Sequence, residues 1–224
     1  RARLKRSFLS LELILCLDLS KNLKILACWD LKLYKKITSE VCIHHLSFND
    51  KDYKKKKGFI KWNPSVKTSE DQKQLWESLL EDRIDVIATD HAPHTFDEKC
   101  NNYLNCPSGG PMVQHSLSVM FEHFLNNKIS LEQIVQKMCH NPAIIFKVKN
   151  RGYIRENYYA DLVVVDPKKS YTVNKDNILY KCGWSPFEGT KFNSQVIYTF
   201  VNGKLVFDNG KINETIRGKK ISFE

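Results

Sequence analysis

No run in this 224-residue chain reaches the ~20 apolar residues of a membrane-spanning helix, although 42% of its residues are hydrophobic. That apolar content is enough for a sizeable core, as one large domain or two modest ones. The chain also has no CxxC pair, no His-x-His and no recognised nucleic-acid motif. Its seven cysteines, at 16, 28, 42, 100, 106, 139 and 182, form an odd, unpatterned set. Such a set suits reduced thiols in a cytoplasmic protein better than a disulfide framework. The net charge of +10 is spread over dispersed lysines, apart from Lys54-Lys55-Lys56-Lys57. A solvated loop accounts for that run, so no nucleic-acid partner is expected. Leu9 to Leu17 follows a basic start and imitates a signal peptide, but Glu12 and Asp18 interrupt it and no small-residue cleavage site follows. Position 1 is not Met, so a piece of a longer protein is the expectation.

The most informative stretch is Ile84-Asp85-Val86-Ile87-Ala88-Thr89-Asp90-His91-Ala92-Pro93-His94. Its β-branched start predicts a buried strand, and Pro93 prevents the strand from continuing. Polar groups just beyond the C-terminal end of a strand occupy the active-site mouth of an α/β barrel. A capping Asp followed by surface histidines is the structural alternative. Upstream, Ser69-Glu70-Asp71-Gln72 predicts a capping box, and Leu75, Trp76, Leu79 and Leu80 give one apolar face to a helix ending near Arg83. Helix 69–83 followed by strand 84–89 is the alternation of a parallel α/β fold.

A second strand-to-loop transition spans Ile37 to Leu46, with Glu40 and Cys42 facing opposite to Val41 and Ile43. Its paired His44-His45 would face opposite ways on an extended backbone, so one metal could not readily take both. Asn63-Pro64 reads as a turn initiator. The span Thr95 to Pro111 is a loop, and Gly109-Gly110 would let backbone amides approach a ligand closely. Helices are expected over Met112 to Leu125 and Ser130 to Cys139, the second opened by a Ser130/Gln133 capping box, with His115, His123 and His140 structural. Ala160 to Pro167 predicts a strand, and Val196–Val201, Asn202-Gly203 and Lys204–Phe207 give the strongest hairpin signal in the chain.

Thr89-Asp90-His91-Ala92-Pro93-His94-Thr95, with Glu98-Lys99 just after, closely resembles a signature of the dihydroorotases, zinc amidohydrolases of pyrimidine synthesis. Glu40-x-x-x-His44-His45-Leu46 and Trp184-Ser185-Pro186-Phe187-Glu188-Gly189 extend the resemblance, which runs from about Ile37 to Gly210. It implies an α/β fold: the C-terminal part of a TIM-like (β/α)8 metal-dependent hydrolase barrel over 1–150, followed by a small β-sandwich over 151–224. It implies zinc, one or two ions per complete site, and reversible cyclisation of N-carbamoyl-L-aspartate to dihydroorotate. That reaction needs a polarised carbonyl, a hydroxide formed near neutral pH and a carboxylate that shuttles the proton.

By the same resemblance Asp90 is metal ligand and catalytic acid/base, Glu40 is a further metal ligand, and Asn63, His94, Ser108 and Gly109 bind substrate. Asp18 stands where the family has a metal-binding His. The family's His-x-His and other early ligands are absent from these residues, so the chain resembles the C-terminal half of a dihydroorotase. The expected partner is the small-molecule substrate, with neither nucleic acid nor membrane, and a homodimer is allowed for. Two alternatives stay open: a non-catalytic dihydroorotase-like fragment or partner protein, and another cyclic amidohydrolase such as an allantoinase.

Overall fold

A computed structural model describes residues 37–223. Asp18 and the strand expected over 13–20 lie outside the described residues. The chain divides into two compact units between Met112 and Val113, whereas the texture of the sequence changes near residue 150.

In the first unit, β1 (Glu40–Cys42) runs directly into α1 (Ile43–Ser47). After α2 (Tyr53–Lys56) and the Asn63-Pro64 turn comes α3 (Ser69–Leu80), which leads to β2 (Val86–Ala88) and the short α4 (Phe96–Lys99). β1 and β2 pair in parallel, with Glu40 opposite Val86 and Cys42 opposite Ala88. Parallel neighbours need a long crossover, and α3 lies within it. The expected helix-strand alternation is therefore present. Val41, Ile43, Ile60, Trp62, Leu75, Trp76, Leu79 and Ile87 are buried around this pair. Leu80, expected on the apolar face of α3, is 37% exposed. Trp76 Nε1 and Gln72 Nε2 both donate to the Leu46 carbonyl, at 3.0 and 3.1 Å, and tie α3 to the end of α1.

The cap of α3 sits one residue earlier than the sequence pattern suggests. Thr68 is the N-cap, and Asp71 Oδ2 accepts from both its amide (3.0 Å) and its hydroxyl (2.6 Å). The shorter Asp closes this reciprocal pair, so Ser69 becomes the first helical residue. Asp85, at the entry to β2, is buried and accepts from the Ser39 amide at 2.8 Å. It anchors the strand.

The second unit opens with α5 (Ser116–Leu125) and α6 (Leu131–Val135). Ser130 and Gln133 form the expected capping box. The helix expected to run on to Cys139 widens into a π-helical stretch at Gln136–His140, and α7 (Asn141–Ile145) follows. The remaining strands are β3 (Leu162–Asp166), β4 (Tyr171–Thr172), β5 (Lys191–Phe192), β6 (Gln195–Val201), β7 (Lys204–Asp208) and β8 (Lys211–Ile212). They make a four-stranded antiparallel sheet in the order β3-β6-β7-β8 and a separate β4-β5 pair. Asn202 (φ 51°) and Gly203 (φ 77°) supply the two left-handed residues of the β6-β7 hairpin, as an Asn-Gly turn should. No residue of the four-stranded sheet is fully buried.

His115 is fully buried, with Nδ1 3.1 Å from Ser185 Oγ. Burial holds its pKa down at about 4. An unfolded histidine titrates near 6.5, so between these values the unfolded chain binds more protons and acid favours unfolding. The stability tied to His115 is complete above pH 6.5 and is lost as pH falls toward 4. Denaturant melts should lose about 2 kcal/mol between pH 7 and pH 5, and His115→Gln should make that slope shallower. An unchanged slope would assign it to other groups.

Candidate active site

Parallel pairing of β1 and β2 brings their C-terminal ends side by side. Glu40 is half-buried on β1, and Asp90 lies two residues beyond β2, exposed. Burial raises the Glu40 pKa, and the negative charge of Asp90 raises it further. The two carboxylates thus share one electrostatic neighbourhood, which a divalent cation would relieve. Asp90 has φ 44°, the left-handed region that side chains other than Gly seldom adopt. Such strain is held by the surrounding structure and is common at functional sites. Among the described residues, the donor set of the expected site is these two oxygen ligands, a chemistry that fits zinc or a harder divalent ion.

The loop after Asp90 folds back on itself. His91 and Gly110 form a parallel bridge, and His91 Nδ1 accepts from the Met112 amide at 3.0 Å. His94 Nε2 lies 3.0 Å from the Ser108 carbonyl, and a carbonyl can only accept, so Nε2 carries the proton. Its Nδ1 is 3.7 Å from Glu98 Oε2. His94 and Ser108, which sequence separates by fourteen positions, are therefore held together.

Gly109 has both main-chain groups engaged: its amide donates to Lys61 O at 2.9 Å and its carbonyl accepts from Lys99 Nζ at 2.8 Å. A Cβ on Gly109 would stand 2.4 Å from the Ala92 carbonyl oxygen, at a φ of 118°. The sequence does not single out Lys99 beyond its place in the signature. Lys99 is 1% exposed, its ammonium also donates to Pro107 O (2.8 Å) and Lys61 O (3.4 Å), and burial lowers its pKa to about 8. A long cation after a Thr95/Glu98 capping box is the one signal that could have marked it.

Asn63 is exposed, and the turn it opens is tied to α1 by Pro64 O, 3.0 Å from His45 Nε2. His44 and His45 do not sit on an extended backbone. They occupy the first turn of α1, which begins immediately after Cys42. The expectation that they face opposite ways is overturned, because a helix turns each residue by about 100° where a strand turns it by 180°. Their ring centroids are 4.2 Å apart, and His44 stacks on Trp62 at 4.3 Å. Burial lowers both imidazole pKa values. Burial pushes the Cys42 thiol well up, with Asp90 and then Glu40 adding to it.

Comparison with known proteins places these features. The sequence profile of the amidohydrolase family matches residues 22–206. A dihydroorotase of Pyrococcus horikoshii is 37% identical over 185 residues, which is 83% of this chain and 42% of that protein. The multifunctional protein pyr1-3 of Dictyostelium discoideum is 36% identical over 178 residues, 79% of this chain and 8% of its own length. Among solved structures, an L-hydantoinase (dihydropyrimidinase) from Arthrobacter aurescens superposes with a TM-score of 0.74 at 26% identity, covering 80% of this chain and 41% of that one. The chain spans less than half the length of each of these relatives. The shared fold is the TIM-barrel-like amidohydrolase fold, of which this chain carries part.

Proposed function

The chain belongs to the amidohydrolase family, and from that membership we propose that it is the part of a dihydroorotase that carries the acid/base carboxylate and much of the substrate site. The reaction is the reversible, zinc-dependent ring closure of N-carbamoyl-L-aspartate to dihydroorotate. The observation that carries the reading is Asp90, strained at the end of β2 and acting on Glu40 of the neighbouring strand. Relatives named dihydroorotase, 33–37% identical over most of this chain, support the choice of substrate.

Asp90 and Glu40 hold the metal in this reading. Zinc, when bound, supplies Lewis acidity toward the amide carbonyl. Asp90 takes the proton from the attacking carbamoyl nitrogen and gives it to the departing oxygen in cyclisation; in hydrolysis it takes a proton from the attacking water and returns it to the leaving amide nitrogen. Asn63 and His94 meet the substrate carboxyl groups. Because His94 holds Ser108, it and the Ser108-Gly109 segment act as one unit. The arrangement of residues 1–150 as barrel and 151–224 as a small β-sandwich belongs to the same proposal, as do a homodimer and a cytoplasmic setting. No helix among the described residues is long and apolar enough to cross a membrane.

Turnover of the protein carrying this chain, measured in both directions on carbamoyl aspartate and dihydroorotate, tests the reading, with hydantoin and allantoin as rivals. Preference for a rival ring moves the chain to another cyclic amidohydrolase. Inertness toward all of them, with zinc bound, would make it a non-catalytic partner. Asn63→Ala should raise KM for dihydroorotate about tenfold with kcat within about twofold, the signature of lost uniform binding. Unchanged kinetics would remove Asn63 from the substrate site.

A further inference from the structure

We propose that Cys42, His44 and His45 form a buried three-ligand site for a zinc-class cation, with donors different from those of the Glu40 and Asp90 carboxylates. The sequence builds it by an abrupt change of period. Cys42 ends β1 with extended torsions (φ −87°, ψ 145°), and α1 starts at the next residue. The first helical turn then swings His44 and His45 round to the side of the Cys42 thiol. One thiolate-capable sulfur and two imidazoles come together, all buried, with one ligand atom from each lying within 4.8 Å of the other two. Zinc bond lengths of 2.0–2.3 Å put tetrahedral ligand atoms about 3.3–3.8 Å apart, so the site closes by small side-chain movements.

An independent observation points to a ligand. His44 is fully buried, and neither ring nitrogen has a hydrogen-bond partner among the described residues. Buried polar groups are ordinarily satisfied, so an imidazole with two nitrogens unpartnered among the described residues calls for a further partner. His45 is prepared differently. Its Nε2 donates to Pro64 O at 3.0 Å, which leaves Nδ1 with a lone pair, and Nδ1 too is buried without a partner. A ligating histidine whose other nitrogen donates to a backbone carbonyl is the usual way a protein fixes tautomer and ring orientation. Trp62, stacked within 8° of the His44 ring plane, fixes that ring as well. A sulfur and two imidazoles select zinc over magnesium or calcium, which take oxygen. The fourth position is left to water or a small anion.

The site is independent of the reaction proposed above, and cobalt(II) reads it directly. Metal-free protein titrated with Co²⁺ should develop a sulfur-to-cobalt charge-transfer band in the near ultraviolet that saturates at one equivalent and is bleached by Zn²⁺. Cys42→Ser should abolish the band, whereas Asp90→Asn, which removes only an oxygen donor, should leave it intact. X-ray absorption at the zinc edge of wild-type protein should find a sulfur scatterer together with imidazole nitrogens, beside any oxygen-bound zinc at Asp90 and Glu40, and this needs no variant to fold. No band, a band that survives Cys42→Ser, or a zinc shell of oxygen and nitrogen alone would each overturn the proposal. In any of those cases a trapped water is the better partner for His44.

Discussion

Asp90→Asn in the protein carrying this chain should lose about 10²–10⁴-fold in turnover, in both directions, while the fold is retained. The substitution is chosen for its backbone. Asp90 has φ 44°, and Asn tolerates left-handed torsions as well as Asp does. Shape and strain are therefore preserved while the charge and the base are removed. Cyclisation and hydrolysis should suffer alike, because the group that gives the proton one way takes it the other. Metal affinity should weaken as well, and the raised pKa of Glu40 should relax toward its ordinary value, since part of its elevation comes from Asp90. If Asp90 merely shapes the turn before Pro93, the variant will keep near-normal turnover per mole of folded, zinc-loaded protein. Rates normalised in that way decide between the two.

Lys99→Met should cost about 3 kcal/mol of stability and several-fold in KM. The ammonium donates to Pro107, Gly109 and Lys61 carbonyls at 2.8, 2.8 and 3.4 Å. Methionine matches its length and apolar stem but leaves those acceptors with one partner fewer, each worth about 1–3 kcal/mol where buried. The released segment is the one that His94 holds through Ser108, so the substrate site should loosen with it. A lower melting point with unchanged KM would make Lys99 structural only. Lys99→Arg keeps a cation but lacks the room for its fork at 1% exposure, so it should fall between the two. Gly109→Ala should act on the same segment by another route, since its Cβ meets the Ala92 carbonyl oxygen at 2.4 Å.

Local rules in the sequence determined a good deal. Ser130 and Gln133 had to cap α6 and Asn202-Gly203 had to turn the β6-β7 hairpin, because each depends on groups within a few residues. The helix 69–83 and strand 84–89 alternation was legible for the same reason, and with it the placing of Asp90 beyond a strand end. β2 ends at Ala88, five residues before the Pro93 expected to limit it. Where two local solutions compete, the sequence misled by one residue: Thr68/Asp71 and Ser69/Gln72 are both capping pairs, and only side-chain reach chose the first.

Tertiary structure decided what depends on distance through space. That Asp90 acts on Glu40 follows from the β1-β2 register, fixed across 46 residues by parallel pairing. That Gly109 spends its amide and carbonyl on Lys61 and Lys99 follows from a loop that packs against itself. The Cys42, His44 and His45 cluster was hidden for a sharper reason. Read with a strand's period the two histidines part, and read with a helix's they meet. Only the point at which β1 gives way to α1 sets which period applies, and the apolar residues on either side of that point, Val41, Ile43 and Leu46, are buried in the core.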